Sequence, residues 1–552
     1  MLLLLSIACL SENQLHADQE RPPEPSIAVT SPASGSWLAE GTAEVQGSFA
    51  NLYQLDVNNS TVTPNPAEGT FASTIELRRG INTIQAYGET QDGEGWRYDR
   101  VAVLAGDYAD PGYPVEDAVG IRLNQSGLDA AVDFVAGMVD DETVAETAMG
   151  MNPIYEDSYG VLGWDAVDIE ARIDDLTFDD LRIAATPSED ELELRVVIPD
   201  LFVDLQAVGE IVWIDFDVDA SIWADQAVIT LGLGVDTDDG DLVVDLLSSE
   251  VDLVGFGYDT SLLPGDVESY LFVSTISEKL EGMLLEQTEE QVPPLLASTL
   301  GDLDLSTELE LMDTPVSLAA TFASASIDDD GIQLFADVDV HSPTSGSHTY
   351  AGYLSAPVDL AVDHDAALSM AMGDDILNRL FFELWKGGLM DISLSTDDGT
   401  MKPEFLAGLK AEEGTVTLNP LLPPVLVQHD EGMEVQIGAC EVTVSTPGGD
   451  LGERLVADLS ITIHAALAYS DGKVVLELTD PQMDLMVKES DWGAMPETVT
   501  QILEQLIPVG ELTSALGDIA IDVPEMDGIA IDGATVKRDD SRLGTHVEVD
   551  LD

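Results

Sequence analysis

Positive charge is what this sequence has least of. Its 552 residues hold 20 Lys and Arg against 106 Asp and Glu, a formal net charge of −86. Such a surface repels nucleic-acid phosphates and anionic lipid headgroups, which excludes DNA and RNA as partners. Cysteine is scarcer still. Only Cys9 and Cys440 are present, so no disulfide framework holds the fold. Beyond the N-terminus, no stretch approaches the roughly 18 uninterrupted apolar residues of a membrane-spanning helix. Also missing are a Gly-x-Ser-x-Gly elbow, a His-Glu-x-x-His zinc motif and a phosphate-cradling glycine loop, so no catalytic step, cofactor or metal is expected. His364, between Asp363 and Asp365, reads as a solvated loop rather than a metal site.

What is there is an ordinary globular interior. The hydrophobic fraction is 45%, too high for a disordered acidic chain. At about 100–200 residues per domain, the length gives roughly three to five domain-sized units. The charge reads as adaptation to salty surroundings or, alternatively, as cation binding. Asp236-Thr237-Asp238-Asp239-Gly240-Asp241 places its glycine fifth, where an EF-hand loop needs it sixth. With Asp328-Asp329-Asp330-Gly331 and Asp397-Asp398-Gly399, it reads as a hairpin turn, where Asp and Gly accept positive φ.

Residues 1–26 begin with the apolar run Leu2 to Ala8, then Cys9 and a polar tether. The run resembles a bacterial lipoprotein signal, although Ser6 stands where such signals carry Leu and no basic residue precedes it. That resemblance implies lipidation of Cys9 and an anchored protein of the bacterial cell envelope, on the outer membrane and facing the periplasm or the surface. Residues 27–105 are short strands broken by Pro, Gly and Asn, the pattern of an all-β sandwich. They resemble small Ig-like modules of the glucodextranase B type, which mostly act as spacers. Residues 106–117, with Pro111, Gly112 and Pro114, read as a linker.

From residue 118 the periodicity lengthens. Leu128, Val132, Val135 and Val139 recur at spacings of four, three and four, one apolar face of a helix. Leu192, Leu194, Val196 and Ile198 alternate with charged neighbours. Val212, Ile214, Phe216, Val218, Ala220 and Ile222 do the same over 212–223, a long strand with one dry face. A second helix over 266–300 carries Val273, Ile276, Leu280 and Met283 or Leu284, and is expected to bend or end at Pro293-Pro294. The second half repeats the plan. Strands at 334–340 and 354–362 precede a helix with Leu377, Leu380, Phe381 and Leu384. Leu459, Ile461 and Ile463 alternate with Asp458, Ser460 and Thr462. A last helix carries Met495, Val499, Ile502 and Leu506, and a strand region at 519–531 closes the chain.

The segment Ala118-Val119-Gly120-Ile121-Arg122-Leu123-Asn124-Gln125-Ser126-Gly127-Leu128-Asp129 resembles the opening of the bactericidal/permeability-increasing and lipopolysaccharide-binding protein family. The stretch Ala367 to Met372, with Ile376 to Phe381 and Gly387-Gly388-Leu389, is similar to that family's entry into its second barrel. The resemblance implies an α+β tubular lipid-binding (TULIP) fold. Two elongated, highly curved antiparallel barrels, each with long helices, would be joined by a central sheet, with borders at 118–315 and 316–552. It implies acyl-chain pockets, for which the expected lining is Leu128, Val132, Val135, Val139, Ile214, Phe216, Val218, Val273, Ile276, Leu280 and Met283. The alternative reading is that these side chains fill a closed core. The expected partner is a phospholipid or other two-chain lipid, neutral or zwitterionic, because the acidic turns repel an anionic headgroup. A surface scaffold with a ligand-free barrel is the other reading.

One-signed charge makes a direct prediction. Raising NaCl from about 0.1 to 1 M shortens the screening length from roughly 10 to 3 Å. The thermal midpoint, followed by circular dichroism, is expected to rise by several degrees; a fall would show that repulsion does not limit stability.

Overall fold

The computed structural model describes residues 24–93, 95–138, 148–150, 152–161, 164–211, 214–259, 277–301, 303, 306–311, 314–344, 346–356, 360, 362, 366–404, 406, 410–429, 432–449, 452–491, 503, 510, 513, 516–517, 519–523, 531–539 and 544–551. Cys9, His364 and the expected helix residues Met495, Val499, Ile502 and Leu506 lie outside them.

The first unit is a β-sandwich. Strands Ser26–Ser31, Gly41–Ala50 and Thr70–Leu77 make one sheet. The other is built from Ser36–Leu38, Trp96–Ala105, Gly80–Glu89, Gln54–Val57 and Ser60–Val62. Val45, Phe71 and Leu77 of the first meet Leu55, Val57, Ile84, Ala86, Val101 and Val103 of the second in one dry core, as facing sheets require.

Among the described residues, the body rests on three seven-stranded sheets. The central one runs in the order Thr307–Leu311, Thr314–Asp328, Gly331–His341, Val115–Asn124, Leu368–Gly373, Gly544–Leu551, Ile531–Asp539. It takes strands from both halves, and the border expected at 315/316 falls within Thr314–Asp328. The terminal region read over 519–531 is incomplete. Past Ala520–Asp522, the hairpin of Ile531–Asp539 and Gly544–Leu551 returns to the central sheet and pairs with Leu368–Gly373.

The N-terminal sheet is dominated by Glu191–Ile211 and Ile214–Asp238, strands of 21 and 25 residues paired along their length. The alternation read over 212–223 is the opening of the second. Val218, Ala220, Ile222 and Ala224 are buried, while Asp217 and Asp219 are exposed. Straight, such a strand would reach roughly 80 Å, so it must bend to share a core. One bend is visible where Pro199, lacking an N–H, precedes Asp200 at φ 48°, and the ladder resumes at Leu201. The hairpin turns Asn58-Asn59, Asp239-Gly240 and Asp471-Gly472 all carry positive φ at both positions, the twist-matched geometry of two-residue loops.

Helix α1 (Gln125–Met138) packs on Arg182–Ser188 and Val115–Asn124; helix α2 (Ser277–Gly301) packs on Asp241–Val254 and Ile214–Asp238. Of the bend or end expected at Pro293-Pro294, the end does not occur: α2 continues to Gly301. The two prolines remove backbone donors, but Pro293, Leu296 and Leu300 are buried, and packing of this kind rather than propensity holds most helices.

Helix α3 (Asp374–Lys386) confirms the helix read from Leu377, Leu380, Phe381 and Leu384. The C-terminal sheet follows, with Ile392–Ser395, Thr415–Pro420, Gly432–Ser445, Arg454–Ser470, Lys473–Ser490 and Ala520–Asp522, and Val425–His429 at its side. Leu459, Ile461 and Ile463 are buried as the alternation expects. Cys440 lies in this sheet as a free thiol, pushed up to about 12 by burial.

Two expectations are corrected at the junction with the first unit. Of the strand read over 354–362, only Tyr353–Ser355 forms among the described residues, and it pairs with Asp107–Ala109 of the supposed linker. Nor does the first unit stand off as a spacer. Its Ala102 and Leu104 share an apolar cluster with Leu354, Leu422, Val425, Val427 and Ala439. The Ile81 N–H donates to Gln436 Oε1 at 2.8 Å, and Arg100 pairs with Asp484 at 2.8 Å. This seat explains why Asp458, read as water-facing, is buried. A Cβ at Gly438 would sit 2.5 Å from the Ile81 side chain, so the approach requires glycine.

Deleting residues 24–105 would strip that seat. The remaining chain is expected to bind the dye ANS strongly and to melt at least several degrees below the whole protein. An unchanged melting curve without dye binding would return the first unit to the role of spacer.

Candidate functional site

The expected acyl-chain lining is built from two helices and one long strand. Asn124 starts α1: its Oδ1 accepts from the Gly127 N–H at 3.1 Å and from Ser126 Oγ at 2.8 Å, a side-chain cap of the first turn. Gly127 is obligatory, since a Cβ there would lie 2.3 Å from the Ala367 carbonyl oxygen. Gln125 Nε2 donates to the Ala185 carbonyl at 2.8 Å and fixes the helix to its sheet.

From that start, Leu128 and Val132 point into the main core and Val135 is half-buried. Leu280 and Met283 of α2 and Val218 of the long strand are buried in the same cluster. Leu128, Val132, Val218, Leu280 and Met283 are thus all side chains of one core that runs through the body. Ile214 and Phe216 lie on the described strand, but their side chains, like Val139, Val273 and Ile276, lie outside the described residues. Along α2, no residue between Leu284 and Pro293 is fully buried, and Ser249 Oγ donates to Glu289 there at 2.6 Å. The seam between α2 and the sheet is thus apolar at its ends and partly polar in its middle.

A second constellation escaped the sequence reading. Helix α3 is buried on its charged face as well as its apolar one. Arg538 holds Asp374 with two contacts of 2.8 and 2.5 Å. Arg379 pairs with Glu383 at 2.5 Å and donates to the Pro111 carbonyl at 2.7 Å. Asn378 exchanges both amide hydrogen bonds with the Leu426 backbone, and Trp385 Nε1 donates to the Pro420 carbonyl. Asp375 accepts from Ser355 Oγ at 2.6 Å and from the Ala356 N–H at 3.1 Å, with Arg79 at 3.9 Å. Burial outweighs these contacts and pushes its carboxyl up to about 6. The available signal was the i, i+4 placement of Arg379 and Glu383 in an otherwise apolar helix, which reads equally well as a solvated stripe.

Beside Asp375 opens a cleft of about 700 Å³, walled by residues 109–110 and 113–118, Tyr353, Ser355, Ala356 and Gly373. Another, of about 580 Å³, lies between Ser34-Gly35 of the first unit and Trp385, Asp391 and Asn419. There His348 stacks on Trp385 at 4.4 Å and its Nε2 lies 3.5 Å from Asp391. Neither cleft is the expected lining.

The chain is similar to lipopolysaccharide binding protein. The likeness to that solved structure has 13% identity, covers 79% of this chain and 99% of that one, and has a TM-score of 0.44. P47 of Clostridium botulinum E1 is also similar, at 11% identity, 80% and 100% coverage and a TM-score of 0.31. These are likenesses of fold alone. No family model and no curated protein matches the sequence.

Asp375 gives a pH prediction. Its folded-state carboxyl titrates near 6 against 3.8 ordinarily, so the native state holds its proton longer. Stability contributed by the protonated form is present below about 4 and is lost as pH rises through 6, an effect of about 3 kcal/mol. Asp375→Asn, which still accepts from Ser355 and Ala356, is expected to remove that decline. Urea denaturation of both proteins from pH 4 to 7 checks it, and parallel pH profiles would refute it.

Proposed function

We propose that the chain is an exported, lipid-anchored lipid-binding or lipid-transfer protein of the bacterial cell envelope. Acyl chains would be sheltered in apolar space between the helices and the curved sheets. One observation carries the reading: the N-terminal unit leaves apolar side chains in water along its sheet and helix. Phe202 and Trp223 face each other across paired strands, each 39% exposed. Leu246, Leu247 and Val254 on the neighbouring strand and Leu295 on α2 are exposed too. Exposed apolar side chains on one sheet and on the helix packed against it are what a membrane or ligand contact would use.

Tail-first entry through the seam beside α2 supplies the energetics. Each methylene taken from water contributes about 0.8 kcal/mol, so a shielded pair of tails outweighs the cost of leaving the bilayer only in an enclosed space. The acidic turns at Glu189-Asp190 and Asp236 to Asp241 favour a neutral or zwitterionic headgroup, left in water. Cys9 would hold the protein at the membrane by its lipid, and no catalytic step enters. The scaffold reading keeps one support: Leu128, Val132, Val218, Leu280 and Met283 are all buried, as a closed core would have them.

Native mass spectrometry of the whole chain, with organic extraction of the same sample, separates the two. One or two lipid masses per chain are expected. Val135→Trp, at a half-buried position, is expected to lower co-purified lipid severalfold with the fold retained. A clean apo mass and no uptake from phosphatidylcholine vesicles would leave the scaffold reading standing.

A further inference from the structure

We propose that the open half of the first unit's outer sheet face binds a neutral, β-linked polysaccharide. The site is independent of the acyl-chain lining. Along the strand Trp96–Ala105, alternate side chains point to opposite sides. Val101 and Val103 face the sandwich core. On the other side, Ala102 and Leu104 join the cluster shared with the body, and Arg100 reaches Asp484. Tyr98 and Trp96 continue that same outer face past the seat, and Trp96 is left 45% exposed.

Strand register places six side chains there in two rows, since directly paired residues share a face. Trp96 pairs with Glu89, which pairs with Gln54; Tyr98 pairs with Tyr87, which pairs with Asp56. Three strands span about 10 Å, room for more than one sugar ring. The Trp96 and Tyr98 rings stack, with centroids 5.3 Å apart and planes 11° from parallel. Tyr98 thus braces an indole that would otherwise swing in water, so little side-chain freedom is left to lose on binding. A large flat ring held in place yet left in water is a platform for a flat ligand.

The neighbours of the platform select the ligand. A pyranose with equatorial substituents offers a flat face of C–H groups, which packs on an aromatic plane. Its rim carries hydroxyls that both donate and accept. Beside the rings, the Tyr87 hydroxyl donates to Glu89 at 2.6 Å and Gln54 Nε2 donates to Asp56 at 3.4 Å. Carboxylate, phenol and amide therefore stand side by side, the mixed donors and acceptors that adjacent hydroxyls use. An organic cation is held by rings set around it as a cage, whereas these two are nearly parallel. Anionic polymers are repelled by a chain of net charge −86.

Native electrophoresis of the whole chain, in gels containing hydroxyethylcellulose, mixed-linkage β-glucan or glucomannan, tests this with serum albumin as the mobility reference. Retardation by at least one of these glycans is expected, and none by the α-linked dextran. Trp96→Ala, at an exposed position, should keep the parent's melting curve and lose about tenfold in affinity. Gln54→Ala, which leaves both rings in place, should weaken retardation severalfold. Unchanged mobility with all the β-glycans, equal retardation by dextran, or parental retardation in the folded variants would overturn the assignment. So would release of the chain by tetramethylammonium chloride beyond that caused by equal NaCl, which would mark the face as an organic-cation site.

Discussion

A buried charge is tolerated only when it is paired, and helix α3 carries four residues of that kind on its inner faces. Asp374, Asp375, Arg379 and Glu383 are all buried. Breaking such a pair costs about 3–5 kcal/mol because the survivor stays dry. Their partners come from every direction. Arg538 reaches from the C-terminal hairpin, Arg79 from the first unit, and Pro111 from the connecting segment, while Leu426 and Pro420 belong to the C-terminal sheet. The helix is where the first unit, the connecting segment, the central sheet and the C-terminal sheet are fastened to one another, so their positions depend on the same few polar contacts.

That arrangement gives the scarcity of positive charge a structural meaning. With 20 basic residues in the whole sequence, several of the arginines are withdrawn into the interior. Arg100, Arg122 and Arg379 are buried, and Arg538 and Arg79 are largely so. Arg122 crosses the central sheet to Asp328 at 2.5 Å and holds that carboxyl below its ordinary range. The outside is left more uniformly anionic than composition alone implies, while several cations are kept inside.

The two halves of the body use their dry faces differently. In the N-terminal half, apolar side chains reach the surface of the long strands and of α2. In the C-terminal half, the short helix is enclosed on all sides and the outer face of the sheet is covered by the first unit. Exposed apolar side chains of the body are therefore concentrated in the N-terminal half. The junction beside α3 is instead polar, with Asp375, Arg79 and Arg379 meeting around Tyr353.

Periodicity determined a good deal by itself. The two-residue period at Val218, Ala220 and Ile222, the helical spacing at Leu128 and Val132, and the Asp-Gly turns are local, because which side of a strand or helix is dry is written in its own residues. Those signals sufficed for the long strands and for the apolar face of α1, while the fold class came from the resemblance. They failed where a partner distant in sequence decides. Pro293-Pro294 reads as a bend or an end, and packing of the following turn carries the helix on past two missing hydrogen bonds. Residues 106–117 read as a linker until Tyr353–Ser355 pairs with them, and Asp458 reads as exposed until Arg100 and its unit cover it. Asp375 and Tyr353 carry no mark of a cleft in their neighbours, since burial there is made by four segments that meet only in three dimensions. The sequence fixes which face of an element is dry; only the tertiary structure decides which polar faces are also taken out of water, because that depends on which element arrives to cover them.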